Sequence, residues 1–236
     1  MKFKPFNLSG APKCVTDATG GKLPMKFRNA DDDGPAELLI FDQIGEDWFG
    51  EGVSAASVTE FVSQNKGQPI NVQINSPGGF VYEGFQIFNE LVNHDGEVTI
   101  EVKGLAYSAA SVIAMAGDKV RMHKTSDWGI HRAMVMAFGN QREMRATADW
   151  LNTLDEHAID IYQERSGQPR DQIVEWIDGE SDGTLFSAEQ CLELGFCDEV
   201  IAPKKTAKNR ATQEAVNQRS VMAARNRLKR MQISTR

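Results

Sequence analysis

The chain has 236 residues, of which 41% are hydrophobic and 25% charged, and its formal net charge is −7, a composition that suits one ordinary globular domain with tails. No run of 18 or more apolar residues occurs, which excludes a membrane-spanning helix. The opening MKFKPFNLSGAPK lacks the apolar stretch of a secretory signal, so a cytoplasmic location is expected.

Three cysteines, Cys14, Cys191 and Cys197, are too few and too scattered for a disulfide framework or a zinc site. No metal or cofactor is expected, and Cys191 and Cys197 are read as small buried hydrophobes. Charge is unevenly placed. Residues 203–236 carry ten Lys or Arg against the single acid Glu214, a net +9 that leaves −16 on the other 202 residues. Val221, Met222, Leu228 and Met231 fall near helical spacing. A flexible tail with a short amphipathic helix is therefore expected there, rather than a nucleic-acid arm.

In chain order, residues 1–36 are rich in Gly, Pro, Lys and Asp and predict an irregular arm with one short strand near residues 25–28. A strand-like run, AELLIFDQIG, begins at Ala36. Residues 54–65 place Ala56, Val58, Phe61 and Val62 at helical spacing. QPINVQINSPGG alternates through Val72 and Ile74 as a strand, and Pro-Gly-Gly stops it. FVYEGFQIFNELVNHDG follows as a helix through Phe85, Phe88, Leu91 and Val92, with Gly96 suited to its C-terminal cap.

The cycle then repeats. EVTIEVKG is an alternating strand, YSAASVIAMAG a helix of small apolar residues, DKVRMHK a strand and WGIHRA a short strand. A long amphipathic helix is predicted over residues 141–165, broken by SGQP, and another over residues 170–177. SAEQCLELG is a further helix, opened by Ser187 as N-cap with Gln190 at the N3 position of a capping box, and FCDEVI is the last strand. Strands alternating with helices predict an α/β fold of mostly parallel strands with right-handed crossovers. One domain is expected over residues 37–202, between the arm of residues 1–36 and the tail of residues 203–236.

Three places carry candidate chemistry. In Ser76-Pro77-Gly78-Gly79, glycines after a strand let the backbone approach a ligand and aim N–H groups at it, as an oxyanion hole requires; the alternative is a plain turn. In the run from Gly104 to Ser111, Ser108 falls at a strand-to-helix junction, where it is either a nucleophile beside free helix N–H groups or merely an N-cap. In Gly129-Ile130-His131-Arg132, a histidine lies in a short apolar strand, and a serine hydroxyl needs such an imidazole to become nucleophilic. The other histidines fit less well. His94 is read as part of a solvent turn, His123 as exposed and His157 as part of the long helix.

Taken together and in order, INSPGG, GLAYSAASVIAMAGDKV and GIH resemble the ClpP-like serine peptidases of crotonase-related fold, with DWFGEGVSAASVTEFV similar to their first crossover. The nearest likeness is to ClpP-like proteins of phage and prophage head-assembly modules. It covers residues 37–201; the interval of 30 from Gly78 to Ser108 agrees with the family pattern, and that of 23 to His131 agrees to within a residue.

The resemblance implies a fold of repeated β-β-α and βαβ units with a long helix after the catalytic histidine. It makes Ser108 the nucleophile, His131 the general base, and the Gly78 and Ala109 N–H groups the oxyanion hole. Ser111 is a rival nucleophile that the family spacing does not select. The third triad member is Asp182, with Glu180 and Asp178 as alternatives. Tyr107 stands where the family commonly has alanine and is expected to pack beneath its loop. The implied activity is peptide-bond hydrolysis through an acyl-enzyme, by a ring-shaped homo-oligomer whose helix at 141–165 joins rings. The expected role is maturation of phage proheads, with scaffold or capsid proteins as substrates, in the host cytoplasm or within the procapsid. Alternatives are a housekeeping Clp-type peptidase subunit, an acyl-CoA enzyme of crotonase type and a non-catalytic head protein.

Overall fold

Strand alternation sets the layers of this computed structural model, which describes residues 27–28, 34–46, 52–179 and 183–203. In β3 (Ile70–Ser76), Ile70, Val72, Ile74 and Ser76 are buried while the residues between them are half-exposed. The strands β2 (Ala36–Ile40) and β4 (Val98–Tyr107) follow the same rhythm, β4 through its first half. One face of the sheet thus buries apolar side chains, and the helices cover it. Helix α1 (Ala55–Gln64) contributes Val58 and Phe61, α2 (Val81–Val92) contributes Ile87 and Leu91, and α3 (Ala109–Ala114) is buried along its whole length.

Among the described residues the sheet has eight strands in the order β1-β2-β3-β4-β5-β8. Here β1 is Phe27–Arg28, β5 Lys119–His123 and β8 Glu199–Ile201. Only β1 runs antiparallel in this row. A branch leaves the row at β4. Its first half pairs with β5 from Thr99 to Val102, and its last three residues pair instead with β6 (Asp127–Ile130). Strand β7 (Thr184–Ser187) then pairs antiparallel with β6.

The branch is held by aromatic packing. Trp128 of β6 stacks on Phe196 with centroids 5.9 Å apart and planes 14° from parallel, and Trp176, Phe186 and Tyr162 close around Phe196. These side chains come from α4 (Gln141–Ser166), α5 (Arg170–Asp178), β7 and the turn after α6 (Ala188–Leu194).

Capping chemistry fixes the helix ends. Asn140 and Glu143 form a reciprocal box at the start of α4, which ends on left-handed Gly167. The box expected at Ser187 and Gln190 is present at the start of α6. The first thirteen residues of α4 contain no buried side chain, since burial begins at Leu154. Among the described residues no helix is long and apolar enough to cross a membrane.

Two expectations change and one strand is new. The helix expected to reach a cap at Gly96 ends at Val92, with Asn93 as its C-cap. Strand β7 is not among the expected elements, being four residues long with too few positions to show a period. The strand expected over residues 128–133 ends at Ile130, because the next N–H groups leave the ladder; that of Ala133 goes to the Asp155 carboxylate. The short strand expected near residues 25–28 is β1. The rest of the arm before it and the tail from Lys204 onward lie outside the described residues.

Candidate active site

Strand register brings the three candidate segments together. Ser76 at the end of β3 lies opposite Ala106, and Tyr107 at the end of β4 lies opposite Gly129 in β6. The chain therefore turns out of the sheet at Pro77, at Ser108 and at His131 side by side. Ser108 and His131 line one cleft together with Pro77, Gly78, Gly79, Val81, Ala133 and Met134. A second recess between α2, α3 and α4 shares Val81, Ser108, His131 and Ala133 with it and is lined largely by apolar side chains including Phe85, Val112, Leu154 and Ala158.

Ser108 is the only non-glycine residue with positive φ among the described residues, at φ 57° and ψ −129°. Such a conformation costs about 1–3 kcal/mol and persists only where surrounding contacts enforce it. One of them is on hand: the Ser108 N–H donates to the Gly129 carbonyl at 3.0 Å. The residue begins α3, yet its side chain makes no capping bond to that helix. The plain N-cap reading therefore fails. Ser111, the rival, is fully buried; its Oγ donates to the Ser108 carbonyl at 2.6 Å and shares a hydrogen bond of 2.8 Å with the Tyr162 hydroxyl. Burial pushes the Tyr162 phenol well above its ordinary range, so it stays protonated.

Both glycines of the loop are sterically required. A Cβ at Gly78 would stand 2.6 Å from the Ser108 Cβ, and one at Gly79 would stand 2.1 Å from the Ile44 carbonyl oxygen. Their N–H groups differ. That of Gly78, expected to be an oxyanion donor, already donates to Ser76 Oγ at 3.1 Å, and Ser76 Oγ in turn donates to the Asp42 carbonyl. Ile44 bonds the carbonyl of Gly78 and the N–H of Phe80, and in such a bridge the intervening residue turns its own polar groups to the opposite side. The N–H of Gly79 is thus directed away from Ile44. Ala109, the other expected donor, opens α3, and position 78 approaches its nitrogen closely.

His131 stands just beyond β6, with its ring stacked on Tyr107 at 5.0 Å and 15°. Tyr107 therefore does more than pack beneath its loop. It lines the cleft against the candidate base. The chain leaving His131 is anchored by charge. Buried Asp155 accepts from the Ala133 N–H at 2.7 Å and from Arg132 Nη1 at 3.0 Å, while Arg132 Nε donates to Asp178. Hydrogen bonding to Asp178 and Asp155 raises the Arg132 guanidinium further, and that to Arg132 holds the Asp178 carboxyl below its usual value. Asp178 is committed to this fork. Asp182 and Glu180 lie outside the described residues, but Gly183 does not. A Cβ there would stand 2.5 Å from that of His131, so the chain passes directly against the candidate base.

The remaining histidines are placed elsewhere. His94 Nε2 bonds the Gln68 carbonyl, and His157 meets Phe85 edge-on at 5.9 Å. His123, expected to be exposed, is half-buried, because Glu101 on the neighbouring strand reaches its Nε2 at 2.6 Å. Cys191 and Cys197 are buried, and burial raises both thiols, that of Cys197 to about 11. Among the described residues no group of three or more His, Cys, Asp or Glu is arranged to hold a metal ion. Sequence reasoning missed Asp155 and Arg132. An acid amid the apolar positions Leu154, Ala158 and Ile159 of the long helix was the available signal for the first.

The chain is similar to known proteins. A family model described as Clp protease matches residues 50–204. The ATP-dependent Clp protease proteolytic subunit of Deinococcus radiodurans is 32% identical over 154 residues, 64% of this chain and 73% of that protein. Its counterpart from Bacteroides fragilis is 32% identical over 144 residues, 60% and 68% of the two chains. Subunit 1 from Chlamydia trachomatis is 30% identical over 165 residues, 65% and 84%. A solved mutant of ClpP1 from Listeria monocytogenes superposes with a TM-score of 0.61 at 22% identity, over 71% of this chain and 92% of that one. That likeness establishes a ClpP-like α/β fold. With a family match spanning well over half its length, the chain belongs to the Clp protease family.

Proposed function

We propose that the chain is the proteolytic subunit of a Clp-type serine peptidase. The observation that carries this reading is the strained backbone of Ser108 at a strand-to-helix corner, in one cleft with His131. Ser108 Oγ attacks the carbonyl of an extended polypeptide and the His131 imidazole takes its proton. The N–H groups of Ala109 and Gly79 receive the developing oxyanion, since that of Gly78 is engaged by Ser76. His131 then protonates the leaving amine, and water releases the acyl-enzyme by the reverse sequence. Asp182 orients the imidazole; the passage of Gly183 against His131 supports this over Asp178, which is paired with Arg132. The apolar recess beyond Ser108 favours a substrate with an apolar side chain before the cut bond.

The relatives' common name favours a Clp-type subunit over a prohead maturation protease. Substrates are then unfolded polypeptides delivered by an ATP-driven partner, and the working form is a ring of identical copies. Two features support self-association. The first three turns of α4 bury nothing in the protomer, and Met134, Val135, Met136 and Phe138 stand exposed between His131 and that helix. Isolated protomers rarely expose such runs.

The test is labelling of the full chain by a fluorophosphonate, with hydrolysis of an unfolded protein measured alongside. Labelling lost in Ser108→Ala and kept in Ser111→Ala is the expected result. Labelling that persists in Ser108→Ala would sink the assignment. Degradation of a folded substrate only with a Clp unfoldase and ATP supports the Clp-type role; selective cutting of a co-expressed scaffold protein without either supports head maturation.

A further inference from the structure

The stack of Tyr107 on His131 depends on a glycine in the neighbouring strand. A Cβ at Gly129 would stand 2.0 Å from Tyr107 Cδ2 and 2.4 Å from Cε2, so the ring occupies the space where any other residue would project. Gly129 has no conformational reason to be glycine. It lies within β6, in register opposite Tyr107, and its φ is not in the left-handed region. Glycine inside a strand weakens it and marks close approach of another group. Here that group is the phenol ring, which also lines the cleft beside Ser108.

We infer that Tyr107 is a positioning residue for His131: seated over Gly129, its ring fixes the plane of the imidazole and supports the imidazolium formed when Ser108 gives up its proton. This inference rests on the hydrolase reading of Ser108 and His131. The physical grounds are two. An imidazole held at 5.0 Å and 15° against a flat ring loses rotational freedom about its last side-chain bond, so fewer orientations miss the hydroxyl. The aromatic face is also electron-rich and attracts a cation more than a neutral ring. The stack therefore favours the protonated state reached during attack over the resting state, which is what accelerates a chemical step.

The experiment compares Tyr107→Phe, Tyr107→Leu, Tyr107→Ala, Gly129→Ala and the double variant Tyr107→Ala/Gly129→Ala in the full chain. It reads kcat and KM on a fluorogenic peptide, the rate of fluorophosphonate labelling and the thermal midpoint. Parent labelling that disappears in Ser108→Ala establishes the hydrolase first; parent protein that never labels at Ser108 defeats that reading, and this inference with it. Given an active parent, Tyr107→Phe retains kcat within about threefold. Tyr107→Leu, which fills space without an aromatic face, lowers kcat and labelling roughly tenfold with KM little changed. Gly129→Ala lowers kcat by a similar factor beside Tyr107, but has little further effect once the ring is removed by Tyr107→Ala. Unchanged kcat in Tyr107→Leu, or an equal loss from Gly129→Ala in both backgrounds, overturns the inference while leaving the hydrolase intact. Should Tyr107→Leu fail to fold, the Gly129→Ala comparison decides alone.

Discussion

Gly78 and Ser108 are in such close contact that a single methyl group at position 78 would meet the Ser108 Cβ at 2.6 Å and the Tyr107 carbonyl at the same distance. Gly78 also has φ +91°, a conformation costly for any other residue. Gly78→Ala is therefore expected to displace Ser108 and slow fluorophosphonate labelling about a hundredfold, with a stability loss of about 1–3 kcal/mol. Labelling at the parental rate would mean that the loop opens without disturbing the nucleophile.

The strain at Ser108 has a measurable counterpart. Ser108→Gly abolishes labelling, yet it is expected to raise the stability of the protein by about 1 kcal/mol, because glycine tolerates positive φ. Ser111→Ala should do the reverse. It keeps labelling but costs about 1–3 kcal/mol, since the buried Tyr162 hydroxyl loses its partner. Denaturant titration of the two variants settles both signs.

Asp155 ties the segment after His131 to α4. Asp155→Ala leaves the Ala133 N–H and one arm of Arg132 without an acceptor, with an expected cost of about 2–3 kcal/mol. Turnover should fall as well, because the backbone carrying the base is released. Asp155→Asn retains one acceptor oxygen and is expected to fall between Asp155→Ala and the parent. A destabilised Asp155→Ala with full kcat would restrict the role to stability.

The triad acid is open to direct comparison. Asp182→Asn is expected to lower kcat by about two to four orders of magnitude with KM nearly unchanged, as a base loses its orienting carboxylate. Glu180→Gln should leave kcat within a few-fold of the parent. The opposite ranking transfers the role to Glu180.

Acid sensitivity has a defined sign. The hydrogen bond from Arg132 holds Asp178 below its ordinary value of 3.8. A depressed carboxyl contributes stability that is complete above its unfolded value and is lost as pH falls through the folded one. The stability advantage of the parent over Asp178→Asn is thus expected to be constant from about pH 7 to about pH 5, to begin to fade as pH nears the ordinary value of 3.8, and to disappear only once pH has fallen through the depressed folded value. A gap that widens on acidification contradicts the pairing.

Much of this was legible before any coordinates. The extent of α4, the box at Ser187 and Gln190 and the strand-to-helix corner at Ser108 all rest on local chemistry, which a sequence displays directly. What escaped depends on register or direction. INSPGG announces two glycines, but which amide faces the cleft is decided by Ile44 bridging the Gly78 carbonyl and the Phe80 N–H, more than thirty residues away. Tyr107 and Gly129 are 22 positions apart and become partners only once β4 pairs with β6. Strand β7 has four residues and no pattern of its own; it forms because β6 offers an edge.

The main-chain bond from Ser108 to the Gly129 carbonyl has a consequence for heating. Nucleophile and base hang from adjacent rungs of a single ladder, not from separate loops that wander independently. Warming should leave their spacing intact until the rung itself parts, so catalytic failure and melting of the β-sheet signal are expected at one temperature.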